Sequence, residues 1–208
     1  MREFSMMKEF NIVLAGVGGQ GTILAAEILG VAAVKDGLNV RVSEIHGMAQ
    51  RGGAVTSNVR IGERVSSSTV LEGQADVLLG FEPLETLRNL RFASEKTLVI
   101  MSDEQIPPTE LAAKNIDYPS VEKILEKIHR FTNRVLVVQT KKLAKEAGSI
   151  LTRNVILIGA LAGAGKLPTK NESLVEALRE LVPTKHLEMN FKAFKLGFEC
   201  AKQRASQS

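Results

Sequence analysis

The run Gly16-Val17-Gly18-Gly19-Gln20-Gly21 constrains this chain more than any other segment. It follows a short apolar β run, Asn11–Ala15, and precedes Thr22–Lys35, a stretch of helix formers apolar on nearly all faces. Gly16, Gly18 and Gly21 satisfy G-x-G-x-x-G at a strand-to-helix turn. Glycine serves three purposes there: the turn is tight, the backbone can approach a phosphate, and the helix packs hard on the strand. A helix apolar all round is a buried one. Asp36-Gly37 closes it, and Val40–Ser43 reads as a second strand. This is a βαβ opening, whose crossover helix belongs to parallel sheets. The N–H groups at such a helix start point at an anion. Glu44, 23 residues after Gly21, stands where a dinucleotide enzyme keeps its ribose-binding carboxylate. The bland alternative is a glycine turn that only lets a buried helix pack.

Beyond Ser43 the pattern changes. Glu44 to Gly53 is polar and glycine-rich and reads as a loop, and Val55–Ile61 alternates as a strand. Gly62-Glu63 reads as a turn, with Arg64–Ser68 returning antiparallel, so the sheet is mixed. Ala75–Phe81 is a core strand, followed by Glu82-Pro83 and a helix to about Arg91. Thr97–Met101 is the next strand. Ser120 caps an amphipathic helix running to Phe131, and Arg134–Val138 is the last strand. Three helices close the chain, roughly Leu151–Ala164, Glu172–Leu181 and Lys185–Gln203. In the last, Leu187, Phe191, Phe194, Phe198 and Ala201 recur at steps of four and three, a core or subunit-interface stripe. Aromatics make up only 4% of the residues, which suits an aliphatic core under helices better than an antiparallel sandwich. The expected fold is α/β: a three-layer, Rossmann-like sandwich around a mostly parallel, mixed sheet, with a helical C-terminal region, all in one domain spanning residues 1–208.

Several function classes fall away. A net charge of +4 falls short of a nucleic-acid footprint, and the densest cluster, Lys141, Lys142 and Lys145, reads as a solvated helix face. Cys200 is the sole cysteine, so the chain forms no internal disulfide and ligates no cysteine-bound cluster. No apolar run approaches the roughly 20 residues of a membrane span, and the polar start resembles no signal peptide. The expected location is the cytoplasm. Gly163-Ala164-Gly165-Lys166 imitates the end of a P-loop, but Ala160 stands where glycine is required and Leu167 where Ser or Thr is. Gly165 reads as a helix C-cap and Pro168 as a stop.

The loop Ser43-Glu44-Ile45-His46-Gly47-Met48-Ala49-Gln50-Arg51-Gly52-Gly53 is the most distinctive segment. Arg51 can hold a phosphate or carboxylate bidentately, and Gln50 sits between small residues with few packing duties. His46 has no second histidine or carboxylate at metal-ligand spacing, so no metal ligand and no catalytic residue is assigned. The candidate cofactor-binding set is Gly16, Gly18, Gly19, Gln20, Gly21, Glu44, His46, Gln50, Arg51, Gly52 and Gly53. Read without further context, it fits a self-contained NAD- or flavin-dependent oxidoreductase, or a ligand-free assembly module.

GVGGQG, then SEIHGMAQRGG, then VTSNVRIG, together with Ala75–Glu85 and Asn154 to Ala160, resemble the gamma-type subunit of the pyruvate/2-oxoacid:ferredoxin oxidoreductases, and most of all their indolepyruvate branch. The resemblance spans essentially the whole chain. It implies a complex that decarboxylates a 2-oxoacid (arylpyruvates in that branch) with thiamine diphosphate. Electrons pass through iron–sulfur clusters to ferredoxin, and the acyl group leaves on coenzyme A. It also implies that thiamine diphosphate and the clusters sit on a larger partner chain, so that this chain is silent alone and contributes phosphate contacts and assembly. Self-association or subunit contact is expected through the Ala- and Phe-rich C-terminal helices.

Overall fold

A computed structural model describes residues 9–46, 52–107 and 117–205. Gln50 and Arg51 lie outside the described residues. Six strands form one sheet: β1 (Phe10–Val17), β2 (Asn39–His46), β3 (Ala54–Gly62), β4 (Val77–Gly80), β5 (Leu98–Ser102) and β6 (Val135–Val138). Their order is β2-β3-β1-β4-β5-β6. β1, β4, β5 and β6 run parallel, and β3 runs antiparallel between β1 and β2. The sheet is mixed, as expected, but its antiparallel member is β3 itself, inserted between the two strands of the βαβ opening, and not a return strand at Arg64–Ser68.

Helices cover both faces. On one side lie α1 (Thr22–Lys35), α4 (Thr140–Ala147), α5 (Arg153–Gly163), α6 (Asn171–Leu181) and α7 (Leu187–Ala205). They bury Ile12 and Leu14 of β1, Val59 and Ile61 of β3, and Val77 and Leu79 of β4. On the other side α2 (Pro83–Arg88) and α3 (Val121–Ile128) close a smaller core around Val13, Leu78, Val99, Met101, Ile124 and Ile128. This division follows from strand alternation, because neighbouring residues of β1 and β4 face opposite sides. The three layers match the sequence expectation.

Two local expectations fail for identifiable reasons. Arg64–Ser68 forms no strand. Its carbonyls are taken by side chains instead: Arg60 donates to Ser67 O (3.0 Å) and to Thr69 O (3.2 Å), and the Ser43 hydroxyl donates to Ser68 O (3.2 Å). The helix after Pro83 stops at Arg88, where the Asn89 carboxamide bonds Glu85 O at 2.9 Å, and a 3-10 turn at Leu90–Phe92 takes over. Pro83 occupies the first helical turn, where its missing N–H costs nothing, and Ser120 caps α3. Lys141, Lys142 and Lys145 project from α4 into solvent.

The C-terminal helices are held by glycine. A Cβ on Gly159 or Gly163 of α5 would sit 2.1 Å from Phe194 O or 2.3 Å from Phe198 O, and one on Gly197 of α7 would sit 2.0 Å from Ile156 O. The backbones of α5 and α7 therefore touch. The aromatic stripe packs inward with them: Phe194 is buried, Phe191 and Phe198 are half-buried against the same core, and Phe194 stacks on Phe198. Exposed large apolar side chains lie elsewhere, on α1 (Ile23, Val34), β2 (Val42, Ile45) and the turn before α5 (Ile150, Leu151). Gly165 has φ +65, as a C-cap requires. Among the described residues no helix is long and apolar enough to cross a membrane.

Candidate functional site at the carboxyl edge of the sheet

β1, β4, β5 and β6 all end at one edge, where open α/β sheets receive ligands. The glycine turn leaves β1 there. Gly16 is the last tight spot of the strand: a Cβ would meet Phe81 Cβ at 2.8 Å, Thr22 Cγ2 at 2.9 Å and Gln20 Oε1 at 3.0 Å. Among the described residues, nothing lies within 4 Å of where a Cβ on Gly19 (φ +99) would stand. Gly21 (φ +79) is the N-cap of α1 in a left-handed conformation, and as glycine it brings no side-chain cap. No acidic residue occupies the first turn of α1, so the partial positive charge of this helix end is not neutralised by its own sequence.

The polar loop reaches the turn through its glycines. Gly18 N donates to Gly53 O at 2.8 Å, and Gly52 N donates to Gly18 O at 3.4 Å, extending the β1–β3 ladder past the strand ends. The structure thus brings Gly16, Gly18, Gly19, Gln20 and Gly21 together with Gly52 and Gly53. Glu44 and His46 belong to β2 rather than to a loop, and pair in register with Ser57 and Val55. Glu44 is exposed on the sheet edge, with β3 standing between it and β1. Two strand spacings, about 10 Å, separate its strand from the glycine turn. A dinucleotide enzyme of Rossmann order has its second strand directly beside the first, and this sheet does not.

Gln20 has a different position from that of an outward-facing ligand contact. Its Oε1 accepts from Val17 N at 2.8 Å and its Nε2 donates to Phe81 O at 2.8 Å, so both ends of the carboxamide are engaged within the protein.

Glu82, which the sequence places only at the end of a core strand, organises the neighbouring turn. Only 1% exposed, it caps α2. Its carboxylate accepts from Glu85 N (2.8 Å), Ile106 N (3.2 Å) and the Tyr118 hydroxyl. Burial, then the bond to Glu82, pushes the Tyr118 hydroxyl well above the usual phenol range. Burial raises the Glu85 carboxyl, partly opposed by Arg88, which donates to it at 2.6 Å. On α5, Arg153 Nη1 lies 2.5 Å from both carboxylate oxygens of Glu104, and the buried Asn154 carboxamide donates to Gly21 O at 3.4 Å. The buried asparagine had one sequence signal, the motif beginning at Asn154. The Glu104–Arg153 pair had none, because its members are 49 residues apart. Among the described residues no group of three His, Cys, Asp or Glu is placed to hold a metal ion.

Comparison with known proteins identifies the family. Residues 11–200 match the model of the family described as pyruvate ferredoxin/flavodoxin oxidoreductase. The chain is 45% identical over 198 residues to "Indolepyruvate oxidoreductase subunit IorB" of Pyrococcus horikoshii, covering 95% of this chain and 98% of that one. A solved gamma subunit of a keto/oxoacid ferredoxin oxidoreductase from Geobacter sulfurreducens superposes with TM-score 0.67 at 26% identity, over 92% of this chain and 98% of that one. The same fold recurs at 22% identity and TM-score 0.68 in the 2-oxoglutarate:ferredoxin oxidoreductase of Magnetococcus marinus, where 95% of this chain matches 32% of a longer polypeptide. With its glycine turn, mixed sheet and near full-length relatives, the chain belongs to the pyruvate ferredoxin/flavodoxin oxidoreductase family, as a subunit of a 2-oxoacid-oxidising enzyme.

Proposed function

We propose that this chain is the smaller, single-domain subunit of a cytoplasmic arylpyruvate:ferredoxin oxidoreductase, and that its glycine turn and polar loop contact a phosphate of coenzyme A or approach thiamine diphosphate in the assembled enzyme. The overall reaction converts a 2-oxoacid, coenzyme A and oxidised ferredoxin to an acyl-CoA, carbon dioxide and reduced ferredoxin. One cysteine cannot supply the thiolates of an iron–sulfur cluster, so the clusters belong to another chain, and the family resemblance puts thiamine diphosphate on that larger partner as well. Thiamine diphosphate supplies the electron sink for decarboxylation; this chain supplies shape, main-chain donors and a docking surface.

One observation carries the reading. The reciprocal hydrogen bonds of Gly18 with Gly52 and Gly53 join two loops of a single edge, directly beside an uncapped fourteen-residue helix. Such a cradle suits an anion, and among the described residues nothing lies within 4 Å of where a Cβ on Gly19 would stand. The Magnetococcus enzyme was solved with coenzyme A and succinyl-CoA bound, which makes coenzyme A the first occupant to test. The ligand-free assembly module keeps one observation in its favour: Gly16 and Gln20 are both engaged by internal packing and hydrogen bonds.

Arg51→Ala in the intact complex distinguishes them. A lost charge-assisted contact to phosphate should raise KM for coenzyme A roughly tenfold while assembly and fold stay intact. Gly18→Val should do worse, since its Cβ obstructs the approach of the backbone. Parent-like turnover by both variants across a range of coenzyme A concentrations would leave the loops structural and the assembly role alone standing.

A further inference from the structure

We infer that Gln20 is a positioning residue: its carboxamide bolts the glycine turn to the end of β4 and so fixes the shape in which the turn meets its anion. The inference rests on the phosphate-contact reading above and concerns a residue that does not itself touch the ligand.

A turn carrying glycines at φ +99 (Gly19) and φ +79 (Gly21) has little stiffness of its own, because glycine populates many backbone conformations with similar ease. Gln20 lies between those two residues. Its one acceptor and one donor are used in opposite senses, toward Val17 N and Phe81 O, both at 2.8 Å. Phe81 is itself tied to β1 through its N–H to Ala15 O at 2.7 Å. The absent side chain of Gly16 makes the room: an added Cβ would lie 3.0 Å from Gln20 Oε1 and 2.8 Å from Phe81 Cβ. Gly16, Gln20 and Phe81 therefore form one interlock across two adjacent parallel strands. The next residue, Glu82, extends it to Ile106 and Tyr118, so the turns after β1, β4 and β5 are joined by hydrogen bonds. Holding a loop in its bound shape before the ligand arrives raises affinity by removing the ordering cost.

The chemistry predicts an unusual intolerance. Leucine offers neither bond. Glutamate still accepts from Val17 N–H, but its second oxygen opposes the Phe81 carbonyl unless it carries a proton, which restores the donor. Glu82 and Glu85, the carboxyls nearest in sequence to Phe81, are held by Glu85 N, Ile106 N, Tyr118 and Arg88, and do not offer that donor.

The test uses the assembled complex with coenzyme A as the varied substrate. Gln20→Leu should raise KM for coenzyme A by about tenfold, the loss of two ordinary hydrogen bonds, with kcat at saturation little changed. Gln20→Glu should show a similar rise at about pH 8 that shrinks relative to the parent as pH falls to about 6, since the opposed carbonyl raises the new carboxyl's affinity for a proton. A parent-like KM in Gln20→Leu, alongside a raised KM in Arg51→Ala, would overturn the positioning role and leave the phosphate site standing. Parent-like values in both would overturn the two readings together, and a raised KM only in the Gln20 variants would keep the inference and remove Arg51 from the site. A pH-independent ratio for Gln20→Glu would also overturn it. Hydrogen exchange on the full chain without its partner covers variants that fail to assemble. Faster exchange confined to the amides of residues 17–24 in Gln20→Leu supports the bolt; unchanged exchange there refutes it.

Discussion

Glycine does opposite work at the two ends of this molecule. At the turn after β1, Gly19 has nothing among the described residues within 4 Å of where a Cβ would stand, and its positive φ is the reason for its identity. Between α5 and α7, Gly159, Gly163 and Gly197 have ordinary helical backbone, and a Cβ would strike a facing carbonyl at 2.3 Å or less. The first set leaves space beside a helix end; the second abolishes space between two helices. Gly159 and Gly163 also belong to a glycine-rich run, whose end at residues 163–166 even imitates a phosphate loop. What separates the two runs is their element: the first follows a strand, whereas Gly159 and Gly163 lie within a helix. A glycine motif thus acquires chemical meaning only from its element context.

The largest effect expected from this contrast is at Gly159. In an exposed helix, replacing glycine by alanine stabilises by about 1 kcal/mol. Here the sign should reverse, because the new Cβ meets Phe194 O at 2.1 Å, a backbone atom that moves only with α7. Overpacking of this kind costs about 3 kcal/mol, a fall in Tm of about 6–12 °C for a chain of this size. Thermal unfolding of Gly159→Ala followed by circular dichroism checks it. A neutral or stabilised variant would mean that α5 and α7 are further apart than the glycines imply, and the contrast would collapse.

An intermediate effect belongs to Gly21, where the two uses of glycine meet. Alanine there suffers the left-handed backbone, about 1 kcal/mol, and its Cβ would lie 2.6 Å from Asn154 Nδ2. A carboxamide end can swing aside, so the total should be about 2 kcal/mol. Asn154→Ala removes the obstacle along with its bond to Gly21 O, and the double variant should therefore lose less than the sum of the singles. Strict additivity of the Tm changes would show that Gly21 answers to its backbone angle alone.

Much of this was legible in the sequence, and the exceptions have a common cause. The strand–turn–helix at Asn11–Lys35, the strand at Val55–Ile61 and the aromatic stripe were readable because each is a local periodicity, although the stripe alone left core and subunit interface as alternatives. The insertion of β3 between β1 and β2 was not, since strand order is set by non-local pairing. That order moved Glu44 away from the turn it was expected to share. Arg64–Ser68 escaped because side chains of Arg60 and Ser43 took the carbonyls that a ladder would have used. At the site, the glycines were legible as backbone requirements. The dual bonding of Gln20 was not, because its second partner is 61 residues away. Glu82 was visible as a strand-end acid, but its burial under Tyr118 is a tertiary fact.

Gly19 should give the smallest change in stability and the sharpest functional one. Alanine at φ +99 meets no atom of the described residues, so its expected penalty is the conformational one, about 1 kcal/mol. That corresponds to a fall in Tm of about 2–4 °C, well short of the Gly159 variant. The methyl group, however, points into the space that the phosphate-contact reading reserves for a ligand. If that space is used, KM for coenzyme A in the assembled complex should rise several-fold beyond anything the stability loss explains, with kcat at saturation nearly intact. Measured side by side, Gly159→Ala should lower Tm and leave KM alone among molecules that remain folded, and Gly19→Ala should do the reverse. A Gly19 variant with the small Tm loss and an unaltered KM would show the open space to be solvent only. A Gly19 variant as unstable as Gly159→Ala would show that the turn is packed after all, and that the two glycine sets are one kind of device.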